Sequence, residues 1–81
     1  MNSKRPARRL KALNQLLSDS GEMTKTSHGV PILRVGQLVA CFFGESDKFR
    51  LFAANYEKVA DFPDTEDGRD ELAAILRGQP Q

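Results

Sequence analysis

Five basic side chains lie within the first eleven residues and are the strongest chemical signal in the chain: Lys4, Arg5, Arg8, Arg9 and Lys11. At 100° per residue on a helix, three of them share one face, two lie at its border, and a leucine stripe lies opposite. Cations spaced in this way can contact successive phosphates. Asn14 and Gln15 are the only amides on this helix, so contacts with nucleic acid would be mostly to phosphate. An acidic protein partner and a merely solvated face are the two other interpretations.

His28, the single histidine, lies beside Gly29 in a polar stretch. An imidazole can act as a general base near neutral pH, so a small ribonuclease that uses His28 is one hypothesis. No acid or nucleophile is fixed near it by sequence spacing, which favours an ordinary loop histidine. Cys41, the single cysteine, lies in the most apolar segment and is predicted to be a buried core residue, not a reactive thiolate.

The sequence predicts no metal site and no cofactor. One histidine and one cysteine are too few for a stable transition-metal site within one chain. The acidic residues between Asp61 and Glu71 lack the alternating ligands and closing glutamate of a calcium loop. A helix cap with solvated acids explains that cluster, and an acidic docking patch is the alternative.

The aromatic residues are the second candidate binding feature. Six aromatic side chains are concentrated in the middle of the chain: Phe42, Phe43, Phe49, Phe52, Tyr56 and Phe62. One layer of helices cannot cover all of them, so some are expected on an exposed sheet face. Such a face would form a dimer, bind a partner or stack single-stranded bases. We take Phe43, Phe52 and Tyr56 as its candidate residues.

The elements that would position these residues give an α+β fold in one domain, residues 1–81. Helices are predicted at about 4–19 and 65–77, and strands at about 30–35, 37–43, 49–54 and 56–62. Residues 22–31 are predicted to form a loop. Short connections impose an antiparallel meander of three to four strands, covered by the two helices as a two-layer sandwich. In the last strand, Tyr56, Lys58, Ala60 and Phe62 are expected to share one face.

Composition and charge further limit the kind of protein that this chain can be. The 81 residues are 40% hydrophobic and 28% charged, which is typical of a globular domain. Net charge is +1, but residues 1–20 are basic and residues 61–81 are acidic. No apolar run approaches the roughly 18 residues of a membrane span, and no secretory signal follows the basic start. A cytoplasmic protein without a membrane partner is therefore expected.

The helix–strands–helix order resembles that of the double-stranded RNA-binding fold. That resemblance implies a basic cluster at the start of the last helix, whereas residues 64–71 read DTEDGRDE. The order is also similar to that of small HicA-type ribonuclease toxins, whose histidine follows a Gly-rich step. Here TSHG at 26–29 matches in part, and that family's basic C-terminal segment is missing. Neither resemblance assigns the chain to a family.

The sequence thus favours a small non-catalytic adaptor, inhibitor or regulator that acts through protein–protein contact, including contact with a second copy. It is not expected to be an enzyme. The first alternative is a nucleic-acid-binding regulator of a phage or mobile element that uses the basic helix. The second alternative is the His28 ribonuclease.

Overall fold

A computed structural model describes residues 5–78. Two helices flank five strands in chain order: α1 (Arg5–Gln15), β1 (Glu22–Lys25), β2 (Pro31–Val35), β3 (Leu38–Phe43), β4 (Lys48–Ala53), β5 (Lys58–Pro63) and α2 (Glu66–Arg77). The strands form one antiparallel sheet in the order β1-β2-β3-β4-β5, in which each strand pairs with its neighbour in sequence. The α+β fold with a meander between two helices is confirmed, with one strand more than predicted.

The additional strand is β1, within the stretch predicted to be a loop. Its four residues, EMTK, are mostly polar and largely exposed, so they lack the apolar alternation that identifies a strand. Backbone pairing with β2, and not the pattern of its side chains, makes this segment a strand. Met23 lies opposite Leu33 and Thr24 lies opposite Ile32 in an antiparallel register with β2.

Helix α1 ends at Gln15, four residues before the predicted end. Ser18 and Asp19 both adopt left-handed backbone angles, with φ of 55° and 57°, which turn the chain away from the helix axis. The buried Asn14 holds this turn, because its Oδ1 accepts a hydrogen bond from Gly21 N at 2.9 Å and its Nδ2 donates to Gly21 O at 3.3 Å. Lys4, predicted at the start of the helix, lies outside the described residues.

Both helices pack on the same face of the sheet. Leu10 and Leu13 of α1, with Leu72 and Leu76 of α2, are almost completely buried against the central strands. From the sheet, Phe42 and Phe49 contribute an edge-to-face aromatic pair with ring centroids 5.0 Å apart. This layer is the main hydrophobic core.

Helix α2 begins tightly against the end of β5. Thr65 is the N-cap, and its Oγ1 accepts a hydrogen bond from Gly68 N at 3.0 Å. A Cβ atom at Gly68 would lie 2.2 Å from the carbonyl oxygen of Pro63, so only glycine fits this close approach. At the far end of α2, Arg77 donates to the carbonyl oxygen of Leu16 at 2.9 Å, which joins α2 to the residue that follows α1.

One predicted face is wrong in β5. A register irregularity between Leu51 and Phe52 places Lys58 opposite Phe52, while Ala60 lies opposite Leu51. Since directly paired residues share a face, Lys58 lies on the side of the sheet away from Ala60. Tyr56 precedes the strand in a turn.

Candidate binding site

The helices leave one side of the sheet uncovered, and we call this side the open face. Alternate residues of the strands point to it, among them Ile32, Val39 and Cys41. These three are only 3%, 3% and 7% exposed, although no helix and no second sheet within residues 5–78 lies over them. Their immediate cover is the half-buried Phe52 and the β1–β2 loop.

A groove of about 280 Å³ runs over these residues. Ile32, Val39 and Cys41 form its floor, and Phe43, Phe52 and Tyr56 contribute its walls. The surface that lines the groove is wholly apolar. The three aromatic residues predicted from the sequence as a binding set are therefore brought together at one place.

The aromatic rings stand as walls and do not form a flat platform. Arg50 lies over the ring of Phe43, with its guanidinium carbon 4.7 Å from the ring centroid. The rings of Phe52 and Tyr56 are 6.5 Å apart and inclined at 55°. Tyr56 adopts φ of 65°, a left-handed conformation that is unusual for an aromatic residue, in the turn before β5.

The loop between β1 and β2 borders the groove with Thr26, His28 and Val30. Thr26 Oγ1 accepts hydrogen bonds from the backbone N–H of His28 at 3.3 Å and of Val30 at 3.2 Å, which fixes the loop. His28 and Val30 are exposed. The groove lining around His28 contains no carboxylate that could act as its proton-transfer partner.

Cys41 lies in the floor of the groove. Burial raises the pKa of its thiol to about 11, and the nearby charges of Arg50 and Asp61 act in opposite directions with smaller effect. The thiol is therefore neutral at physiological pH, as predicted for a core residue.

Basic side chains border the apolar residues across the sheet. In the register of β4 and β5, Phe43 lies opposite Lys48, Cys41 lies opposite Arg50, and Phe52 lies opposite Lys58. On the other side of β3, Val39 lies opposite Arg34. The two acidic residues of these strands that share the face are Glu22, opposite Arg34, and Asp61, opposite Arg50.

Asp61 is already occupied by two of these cations. Its carboxylate receives Arg50 Nε at 2.8 Å and Lys58 Nζ at 3.2 Å. The hydrogen bond from Arg50 is the main reason that the pKa of Asp61 is lowered. Arg34 and Lys48 form no ion pair with any residue in the range 5–78. The open face therefore keeps an excess of positive charge.

The structure divides the basic residues of α1 into two groups. Arg5 is engaged: its guanidinium pairs with Asp47, donates to Gly44 O at 3.2 Å and lies 5.4 Å from the centroid of the Phe42 ring. It therefore anchors the helix to the β3–β4 turn and is not free for phosphate.

Arg9 is engaged with the C-terminal acidic segment. Asp64 accepts a hydrogen bond from Arg9 Nη2 at 3.1 Å and another from Arg69 Nη1 at 2.6 Å, and Arg9 Nε lies 3.0 Å from its other oxygen. Burial alone would raise the pKa of Asp64, but the two arginines outweigh it and lower the pKa. The basic and acidic ends of the sequence thus neutralise each other here.

Arg8 and Lys11 are the cations that α1 leaves exposed, and no ion pair engages them within residues 5–78. They border a shallow cavity of about 510 Å³ between α1 and β1, together with Met23 and Asp19. Asn14, one of the two amides on this helix, is buried and bonded to Gly21. The cationic face is therefore smaller than the sequence predicts.

In residues 5–78, no three histidine, cysteine, aspartate or glutamate side chains are grouped so that they could hold a metal ion. Neither α1 nor α2 is long and apolar enough to cross a membrane. No protein-family model matches the chain, and comparison with curated proteins and with solved structures gave no match either.

Sequence reasoning missed the floor of the groove. Ile32 of β2 and the alternate residues Val39 and Cys41 of β3 are apolar, and both faces of β3 read as apolar. Two short helices can cover only one face of a sheet this wide, which is the signal that could have identified the second apolar cluster.

Proposed function

We propose that this protein is a small non-catalytic binding protein, an adaptor, inhibitor or regulator, which receives a protein partner in the groove of the open face. One observation carries the proposal: an apolar groove lies over buried strand residues, with no layer of the described chain above it. Its walls remain accessible, because Phe43 is 39% and Tyr56 is 50% exposed. Apolar surface gathered in this way marks an interaction site more often than scattered exposed residues do.

A protein side chain fits this groove better than a nucleic acid base does. Base stacking needs an open aromatic face, whereas Arg50 covers one side of the Phe43 ring and the Phe52 and Tyr56 rings are inclined to each other. An aliphatic or aromatic side chain needs only shape and apolar surface.

The available surface sets the expected strength. Covering the exposed parts of Phe43 and Tyr56 would remove about 180 Å² of mostly apolar surface from water, worth roughly 4 kcal/mol. The loss of translational and rotational freedom offsets most of that gain. Stable binding therefore needs contacts beyond the groove, and a short peptide that adds few of them is expected to bind only weakly.

The test is a selection of displayed random peptides on the immobilised protein, followed by titration of the selected peptides against two variants. Phe43→Thr with Tyr56→Asn removes the two exposed wall residues. Threonine suits a strand, and asparagine tolerates the left-handed backbone of Tyr56, so the fold is expected to persist. Ile75→Gln is the matched control, since Ile75 is 41% exposed but lies on α2, on the other side of the sheet.

Peptides that bind the wild type and the Ile75→Gln variant equally, and the double variant at least tenfold more weakly, support the proposal. Peptides whose affinity is the same for all three proteins would place binding elsewhere and contradict it. Circular dichroism of each variant checks that the fold is retained.

A nucleic-acid-binding regulator is the second candidate, and the exposed pair Arg8 and Lys11 favours it. Labelled single- and double-stranded DNA and RNA should then bind at about 50 mM salt and dissociate steeply towards about 200 mM. Replacing Arg8 and Lys11 by alanine should flatten that dependence. The absence of binding at low salt removes this candidate. The ribonuclease alternative rests on His28 alone, and RNA cleavage that survives His28→Ala would remove it.

A further inference from the structure

We infer that the occupant of the groove is an acidic protein segment that carries an apolar anchor side chain, an inference that rests on the proposed function. The register of the sheet supports this inference. The four groove residues of β3 and β4 that point to the open face each lie opposite a basic residue on the neighbouring strand: Phe43 by Lys48, Cys41 by Arg50, Phe52 by Lys58 and Val39 by Arg34. An apolar groove is thus bordered by cations.

These cations are not fully used within the fold. Asp61 alone receives both Arg50 and Lys58, which leaves one positive charge in that cluster. Lys48 and Arg34 are exposed and form no ion pair in the described range, although Glu22 lies opposite Arg34 on β1. Glu45, in the turn after Phe43, adds a carboxylate near the Phe43 end of the groove. The border therefore remains positive on balance, and carboxylates on a partner would complement it.

The dimensions of the groove agree with one anchor. A volume of about 280 Å³ is about twice that of a cavity of roughly 150 Å³ that holds benzene, so it admits one indole or two aliphatic side chains. The anchor would cover Ile32 and Val39, and acidic residues on either side of it would reach Arg34 and Lys48.

The same charges disfavour a second copy of this chain as the occupant. A two-fold dimer through the open face would set one positive border against another, and like charges in contact oppose association. Of the two acidic residues on the open face, Asp61 is already paired with Arg50 and Lys58, which leaves Glu22 as the carboxylate that could offset the border charge.

The experiment compares synthetic peptides of about 12 residues by fluorescence anisotropy. The first peptide carries one Trp and one Leu among Asp and Glu residues. The second replaces each Asp and Glu by Asn and Gln, and the third keeps the acids but replaces Trp and Leu by Ser. We expect the first to bind about tenfold more tightly than the second at about 50 mM salt, with a smaller difference at about 300 mM, and the third not to bind.

Paired charge variants locate the effect. Arg34→Gln with Lys48→Gln should weaken binding of the first peptide about fivefold. Arg8→Gln with Lys11→Gln is the matched control. It removes the same charge from exposed, unpaired cations on the helix side of the molecule, and should change the affinity less than twofold.

The outcomes separate this inference from the proposed function. Equal binding of the acidic and amide peptides, abolished by Phe43→Thr with Tyr56→Asn, would overturn the acidic partner and keep the docking groove. No binding of any peptide, or binding that ignores Phe43 and Tyr56, would overturn both. An oligo-dT strand that displaces the first peptide would assign the face to nucleic acid. If sedimentation shows that the free protein is a dimer, and that Phe43→Thr with Tyr56→Asn makes it monomeric, the open face would be assigned to contact with a second copy.

Discussion

Replacing Gly68 by alanine tests the packing between β5 and α2, because helix propensity and tertiary packing predict opposite signs. Gly68 is a buried residue in the first turn of α2. Judged by helix propensity alone, alanine should stabilise the protein by about 1 kcal/mol. The structure gives a different expectation, since an added Cβ would lie 2.2 Å from Pro63 O, 2.9 Å from Pro63 Cγ and 3.0 Å from Pro63 Cδ.

The magnitude follows from the displacement required. Cβ atoms do not approach other atoms within 3.0 Å, so the start of α2 must move about 0.8 Å away from the end of β5. The obstructing atom is a backbone carbonyl oxygen and cannot rotate aside as a side chain would. Such overpacking costs about 3 kcal/mol at its upper end, so the net loss in the free energy of unfolding is about 2 kcal/mol. For a chain of 81 residues this lowers Tm by about 10 °C.

The assay is thermal unfolding followed by circular dichroism, with Gly44→Ala as the matched control. The nearest atom to an added Cβ at Gly44 is the flexible Arg5 Nη1 at 3.5 Å, an ordinary contact. Gly44→Ala should therefore change the free energy of unfolding by less than about 1 kcal/mol, in the stabilising direction if at all. A Tm of Gly68→Ala equal to or above that of the wild type would refute the close approach of α2 to Pro63.

Three further predictions concern buried charge and the thiol. Asp64→Asn should destabilise the protein by about 2 kcal/mol in urea unfolding at neutral pH, because it weakens the hydrogen bonds that Asp64 accepts from Arg9 and Arg69. The control Asp67→Asn, at an exposed position in the first turn of α2, should cost under about 1 kcal/mol. Equal losses of stability in the two variants would contradict the special role of Asp64. Folding lowers the pKa of Asp64, so its contribution to the free energy of unfolding is present above the unfolded-state pKa of about 3.9 and is lost as the pH falls through the lower folded-state value. The wild type should therefore lose more stability than Asp64→Asn between about pH 5 and about pH 2. Parallel curves of stability against pH for the two proteins would contradict the role of this ion cluster. The Cys41 thiol, with a pKa of about 11 and 7% exposed, should react with a disulfide reagent at least about 100-fold more slowly than free cysteine at pH near 8, until denaturant exposes it; rapid reaction of the folded protein would mean that the groove floor is open.

The sequence predicts the elements whose signals are local. The leucine spacing of α1, the apolar run of β3 and the acidic start of α2 each identify an element within one to four residues of its observed bounds. Strand β1 is not identified, because the side chains of EMTK carry no strand periodicity and its place depends on pairing with β2. The irregularity at Phe52 that moves Lys58 to the open face has no local signature either.

The candidate site was predictable in part. Exposed aromatic residues follow from counting aromatic side chains against one layer of helices, and the three selected residues do meet in one groove. The ion pairs of the basic residues could not be predicted from the sequence. Arg5 and Arg9 pair with carboxylates that are 42 and 55 residues away, a separation that helix periodicity cannot anticipate. Long-range ion pairs of this kind become visible only with the fold.

The meander has a consequence for the order in which the molecule can assemble during synthesis. Every strand pairs with the strand made just before it, so hydrogen bonding in the sheet can advance with the growing chain. The layer over Phe49 and Phe62 is different, since it needs Leu72 and Leu76 of α2, which follows the whole sheet in the sequence. Until α2 is made, both sides of the nascent sheet present apolar side chains to their surroundings. Any apolar surface that binds the helix side of the nascent sheet therefore competes with α2.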